Sequence, residues 1–159
     1  MIQEFDDVKR ILRIADHMVY VTYPVLKENR LLIKVLDEIY AAVSRTFDVL
    51  LKKEYEFKRI KIYSDNKINM AVFEQRCASR YNLTNENMAG IKHIMALHEY
   101  HKSSPIEFVR QNNFIMMSDN LQTESITLQK LKILLAIAKE FIKKAEFGLS
   151  SERINIQGA

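Results

Sequence analysis

The side chains most able to do chemistry together are His93, His98, Glu99 and His101. Histidines three apart, as His98 and His101 are, share a helix face and could hold a metal. The zinc-protease pattern has one residue more between its histidines than His98-Glu99-Tyr100-His101 does. A metal site also needs further ligands, and His93 projects elsewhere. His98 falls near the centre of the apolar arc of Ile91, Ile94 and Met95. It therefore reads as a core histidine hydrogen-bonded to a neighbour, and neither metal nor cofactor is expected.

Cys77 lies between Arg76 and Arg80, a setting that could lower a thiol pKa. No histidine or acid adjoins it in sequence, so it reads as a buried structural cysteine. Being the only cysteine, it excludes an internal disulfide and a thiolate metal cluster, which suits a reducing cytoplasm. The glycines Gly90, Gly148 and Gly158 are isolated, which excludes a phosphate-cradling loop and a nucleotide fingerprint. No Ser-His-Asp arrangement is supported.

Arg10 and His17 stand with six residues between them, and Asp16 adjoins the histidine. An arginine followed by four to six residues and a histidine resembles the motif of the HEPN ribonuclease superfamily. The resemblance implies a small helical bundle that dimerises and cleaves RNA, with Arg10 and His17 as its catalytic pair. The chain departs from the family in placing the pair on its first helix and in having Ile11, not a polar residue, after the arginine. Read from the residues alone, both side chains belong to a solvated face.

Lys132, Lys139 and Lys143 form a basic stripe on the last helix at spacings of seven and four. Such a row could track a phosphate backbone, though no aromatic residues are interleaved to stack bases. It also reads as an ordinary solvated face. A broader resemblance rests on Ala15 to Pro24, Lys27 to Arg30, Ser104 to Arg110 and Ser118 to Asn120. These stretches look like a group of small uncharacterised archaeal proteins, which implies a helical fold and a cytoplasmic setting. A binding surface is then sought at Asp16, His17, Asn29 and Arg30 around the first turn, and at Glu107, Arg110, Asp119 and Asn120 before the last helix. Capping and turn formation use the same residue types.

The elements that must position these residues are helices. In a chain of 159 residues, three glycines and two prolines leave little material for sheets and tight turns. The dominant stretch is 26–58, where Leu32, Leu36, Ile39, Val43, Phe47 and Leu50 recur at spacings of three and four. Before it, residues 3–21 form a first helix with Phe5, Val8, Leu12, Ala15 and Val19 inward; Pro24 sets the boundary, and Thr22 can cap the long helix that follows. A weaker third helix spans 66–81 on Ile68, Ala71, Gln75 and Ala78. A fourth follows the Thr84 cap with Met88, Ile91, Ile94 and Met95 inward. Residues 114–126 read as a small β-hairpin around Asp119-Asn120 or as an irregular loop. Thr127 caps a last helix, 128–147, which Gly148 terminates.

The expected architecture is mainly α: an antiparallel bundle of four to five helices, with the hairpin as an option. Residues 1–148 form one domain and 149–159 a polar, loose tail. No stretch of about 18 apolar residues occurs, so no membrane helix is expected, and the acidic amino terminus lacks a signal peptide's pattern. A net charge of +4 with both signs interspersed permits an anionic partner without requiring one. The functional expectation is a non-enzymatic, cytoplasmic bundle that binds a protein partner or its own copy. Apolar stripes exceeding what one small core hides, above all on the third helix, motivate it. The alternative is a HEPN-like RNA-binding protein or metal-independent ribonuclease.

Overall fold

The computed structural model describes residues 2–158. Helix α1 (Ile2–His17) buries Phe5, Val8, Ile11, Leu12 and Ala15, the stripe its spacing predicts. It runs without a break into a π turn (Met18–Thr22) and a last helical turn, α2 (Tyr23–Leu26). Pro24 explains the widening. It offers no N–H, and its ring would crowd the carbonyl four residues back in a regular α-helix. The wider turn relieves that crowding, with the Tyr23 N–H bonded to the Met18 carbonyl. Thr22 therefore stays helical and does not cap. The chain instead breaks at Lys27, which is left-handed at φ 50°, and not at Pro24 as the sequence suggests.

Helix α3 (Arg30–Glu56) is the central element, packed against α1 and both later long helices. Leu32, Leu36, Ile39, Ala42, Val43 and Leu50 have no solvent exposure. The helix ends in a closing turn: Lys58 N–H bonds to the Tyr55 carbonyl and Arg59 N–H to the Glu54 carbonyl. Asp65 then caps α4 (Asn66–Arg76), its side chain accepting from the Lys67 N–H at 2.8 Å. The expected third helix of 66–81 stops at Arg76. A 3-10 turn (Ala78–Tyr81) follows, and the inward residues of α4 are Asn69, Met70 and Phe73, with Ile68 exposed.

Helix α5 (Asn85–Ser103) opens on a reciprocal cap. Thr84 Oγ1 accepts from the Asn87 N–H, and Asn87 Oδ1 accepts from the Thr84 N–H. Three antiparallel strands come next in the order β1-β2-β3: β1 (Ile106–Arg110), β2 (Asn113–Met117) and β3 (Thr123–Ile126). The β2–β3 pair is the hairpin expected around Asp119-Asn120. β1 is an addition, joined to β2 by Gln111 and Asn112, both left-handed as a tight two-residue hairpin turn requires.

Helix α6 (Leu128–Gln157) is capped by Thr127, whose hydroxyl accepts from the Lys130 N–H at 3.0 Å. It does not end at Gly148 but passes through it, so most of the expected loose tail is helical. Leu149 is buried, and Glu152 accepts a hydrogen bond from Arg59 at 2.7 Å. Ala159 of that expected tail lies outside the described residues. Gly148 serves close approach instead. A Cβ there would lie 2.5 Å from the Tyr81 ring. No helix among the described residues is long and apolar enough to cross a membrane.

Candidate functional site

The sheet carries apolar side chains on both faces. On the inner face Phe114 pairs with Ile126 across β2–β3, and both are buried with Met116 against the helices. On the outer face Ile106 pairs with Met117 and Phe108 with Ile115. Ile106 is 51% exposed and Phe108 36%, while Ile115 and Met117 are half-buried. A sheet with one solvated face alternates apolar and polar residues. An unbroken run such as Phe114-Ile115-Met116-Met117 belongs to a strand buried on both sides. β1 is also an edge strand, exposed at all five residues.

Two contacts fix this sheet to the end of α5. His101 Nδ1 lies within hydrogen-bond distance of Glu107 Oε1, and the Tyr100 hydroxyl donates to the Gln122 carbonyl at 2.7 Å. One turn earlier, His98 stacks on Tyr40 of α3 with ring centroids 3.6 Å apart, and its Nε2 stands 3.3 Å from Asp37 Oδ1. Burial lowers the His98 pKa, and the nearby Asp37 carboxylate only partly offsets it. His98 and His101 thus have separate partners, their rings 6.3 Å apart. No group of three histidine, cysteine or acidic side chains able to hold a metal exists among the described residues.

Beside the His98–Tyr40 stack, α3, α4 and α5 enclose an open groove of about 700 Å³. Each helix lines it with residues three or four apart: Tyr40, Ser44 and Asp48 from α3, Lys67 and Met70 from α4, Met95 and Glu99 from α5. Lys92 of α5 and Glu74 of α4 join across it at 2.8 Å.

The strongest polar cluster is buried and structural. Glu54, without solvent exposure, accepts hydrogen bonds from Arg80, from the Tyr81 hydroxyl at 2.8 Å and from Arg59 at 3.3 Å. Burial alone would raise its carboxyl pKa, but Arg80 and Tyr81 hydrogen bonds and the two arginine charges hold it below the ordinary glutamate range. Cys77 is buried beside this cluster. Burial first, then the Glu54 charge, pushes its thiol up to about 11, so at neutral pH it is protonated and a poor nucleophile.

The residues proposed from sequence are scattered. Arg10 and His17 share a shallow depression of about 300 Å³ with Arg13, Ile14 and Met18. Arg10 lies 3.7 Å from Asp7, and His17 Nδ1 meets Thr22 Oγ1 at 3.2 Å, a contact that the π turn permits. Asp16 pairs with Lys139, and Lys132 sits over the Tyr20 ring at 5.3 Å, so two lysines of the basic stripe are engaged and Lys143 is exposed. Asn29 accepts from the Tyr23 hydroxyl at 2.8 Å, whereas Arg30 is exposed. Glu107 is held by His101. Arg110, Asp119 and Asn120 are exposed at the strand end and the β2–β3 turn.

No hydrogen bond or ion pair among the described residues joins the first-turn group to the sheet group. Sequence reasoning passed over Asp37, Tyr40, Asp48 and Glu54. Each sits on an i, i+3, i+4 row of α3 that could have been paired with His98 or Arg80 only by knowing the packing. Compared with known proteins, the chain matches no family model, no curated protein and no solved structure.

Proposed function

We propose that the chain acts without catalysis, by binding protein through the outer face of its sheet, and that the partner on this face is a second copy. The observation that carries this reading is the apolar set Ile106, Phe108, Ile115 and Met117 on the outer face of a sheet whose inner face is in the core at Phe114, Met116 and Ile126. Sheets packed face to face bury such sets against each other. A two-fold contact brings each patch onto itself. The remaining outer-face positions, Asn113, Thr123 and Ser125, are neutral, and only Arg110 at the strand end is charged. Two copies can therefore meet without burying like charges.

Mass measured in solution tests this. The wild type should be a dimer, and Phe108→Lys with Ile115→Lys should be a monomer of unchanged helical content. A wild type that stays monomeric at every concentration overturns the reading.

A second reading is favoured by one observation, the grouping of Arg10, Arg13 and His17 around a single depression of α1. Under it the protein is HEPN-like, binding or cleaving RNA with Arg10 and His17. Basic side chains on one face suit a phosphate backbone, and binding should then weaken steeply with salt. Arg10→Ala and His17→Ala should abolish cleavage while leaving helical content intact. If both behave as wild type, the RNA reading fails.

A further inference from the structure

The groove between α3, α4 and α5 lies apart from the sheet face and from the α1 depression. Its floor is apolar, made by Phe47 and Met70, both buried, and the half-buried Met95. Thioether and aromatic groups of this kind adapt to varied apolar shapes. The stacked rings of Tyr40 and His98 also line it. The volume is that of a small-molecule site rather than a packing defect.

The ionic groups around it differ in kind. Glu74 and Lys92 neutralise each other, and Asp65 is committed to capping α4. Lys67 and Lys102 stand on the rim, exposed, and their long stems carry the ammonium into water. Asp48 is exposed as well, but its side chain is short and makes no hydrogen bond or ion pair among the described residues. The surrounding protein raises its carboxyl pKa, and no cation is close enough to oppose that. Glu99, on the facing helix, is likewise exposed and unpaired among the described residues.

We infer that this groove binds a small organic cation, an ammonium group on an apolar body. The ammonium meets the Asp48 carboxylate while the body lies over Phe47, Met70 and Met95. An unpaired carboxylate at the edge of an apolar floor can meet a ligand that brings both an opposite charge and apolar surface.

The test uses two probes of matched shape and opposite charge, 2-phenylethylammonium and 3-phenylpropionate, titrated into the full chain by calorimetry. Saturable binding of the ammonium is expected, at least about tenfold tighter than the carboxylate. Asp48→Asn should weaken it by about tenfold or more without lowering thermal stability, because Asp48 has no partner to lose. Ala96→Phe, which fills the groove from an exposed position of α5, should abolish it while the circular dichroism spectrum stays that of the wild type. The inference is overturned if neither probe saturates, if the carboxylate binds as tightly, or if Asp48→Asn binds as the wild type does.

Discussion

Tyr81 donates its hydroxyl to Glu54 Oε1 at 2.8 Å while its ring lies across the backbone of Gly148. One side chain thereby ties the 3-10 turn to the end of α3 and to α6. With Arg80 and Arg59 it also supplies the donors that make a fully buried carboxylate tolerable. Removing the carboxylate leaves two guanidinium groups with a lost partner. Both arginines reach solvent and Arg59 keeps Glu152, so Glu54→Ala should cost about 2–3 kcal/mol, and Tyr81→Phe about 2 kcal/mol. Chemical denaturation checks both. Because the Glu54 pKa is depressed in the folded state, its contribution is present above the unfolded value of about 4.5 and is lost as pH falls through the lower folded value.

Gly148→Ala is expected to destabilise even though alanine is the better helix former by about 1 kcal/mol. The new methyl would sit 2.5 Å from Tyr81 Cδ1, an atom in the body of the ring and not at a free end. To relieve the clash the ring must shift, which stretches the hydrogen bond to Glu54. A net loss of about 1–3 kcal/mol is expected, read as a lower denaturant midpoint at unchanged slope. An unchanged or raised midpoint would show that α6 yields instead.

The glycines also show where sequence reading stopped. Few glycines implied few tight turns, and the helices and the caps at Thr84 and Thr127 were legible because each is a local pattern. Yet the left-handed positions here are Lys27, Lys58, Asn82, Gln111, Asn112 and Leu121, while Gly90 and Gly148 serve close helix contacts. β1 stayed hidden because its turn is Gln-Asn and lacks glycine. Gly148 read as a stop because nothing local reveals Tyr81, 67 residues earlier in the chain. The groove and the Glu54 cluster were equally out of reach. Asp48 and Glu54 lie on α3, Arg80 on the 3-10 turn and His98 on α5, and only packing sets Glu54 against Arg80 and Asp48 in the same groove as His98.

His98 should make stability fall on mild acidification. Burial lowers its folded pKa, so as pH falls below about 6.5 the unfolded chain takes up the proton first. Stability is then full above the unfolded value and declines as pH falls toward the folded one. The groups facing the ring are Asp37, Tyr40, His101 and Lys102, of which only Asp37 resists the decline. His98→Phe keeps a ring on Tyr40 but cannot titrate. Its urea midpoint should vary less than that of the wild type over this range, and identical pH profiles would refute the assignment.

Lys58 closes α3 in the left-handed conformation at φ 57°, the position where helices most often place glycine. Its N–H and that of Arg59 complete the bonds to Tyr55 and Glu54, so the backbone there is fixed by the motif and not by the side chain. Lysine is exposed at this position and bears the steric cost of left-handed geometry, about 1–2 kcal/mol for an L-residue. Glycine avoids that cost but loses about 0.5–1 kcal/mol more conformational freedom on folding. Lys58→Gly should thus stabilise by about 0.5–1 kcal/mol, and Lys58→Val, branched at Cβ, should destabilise. Thermal midpoints of the two variants should move in opposite directions. If both fall, the ammonium of Lys58 contributes more to the end of α3 than its backbone geometry costs.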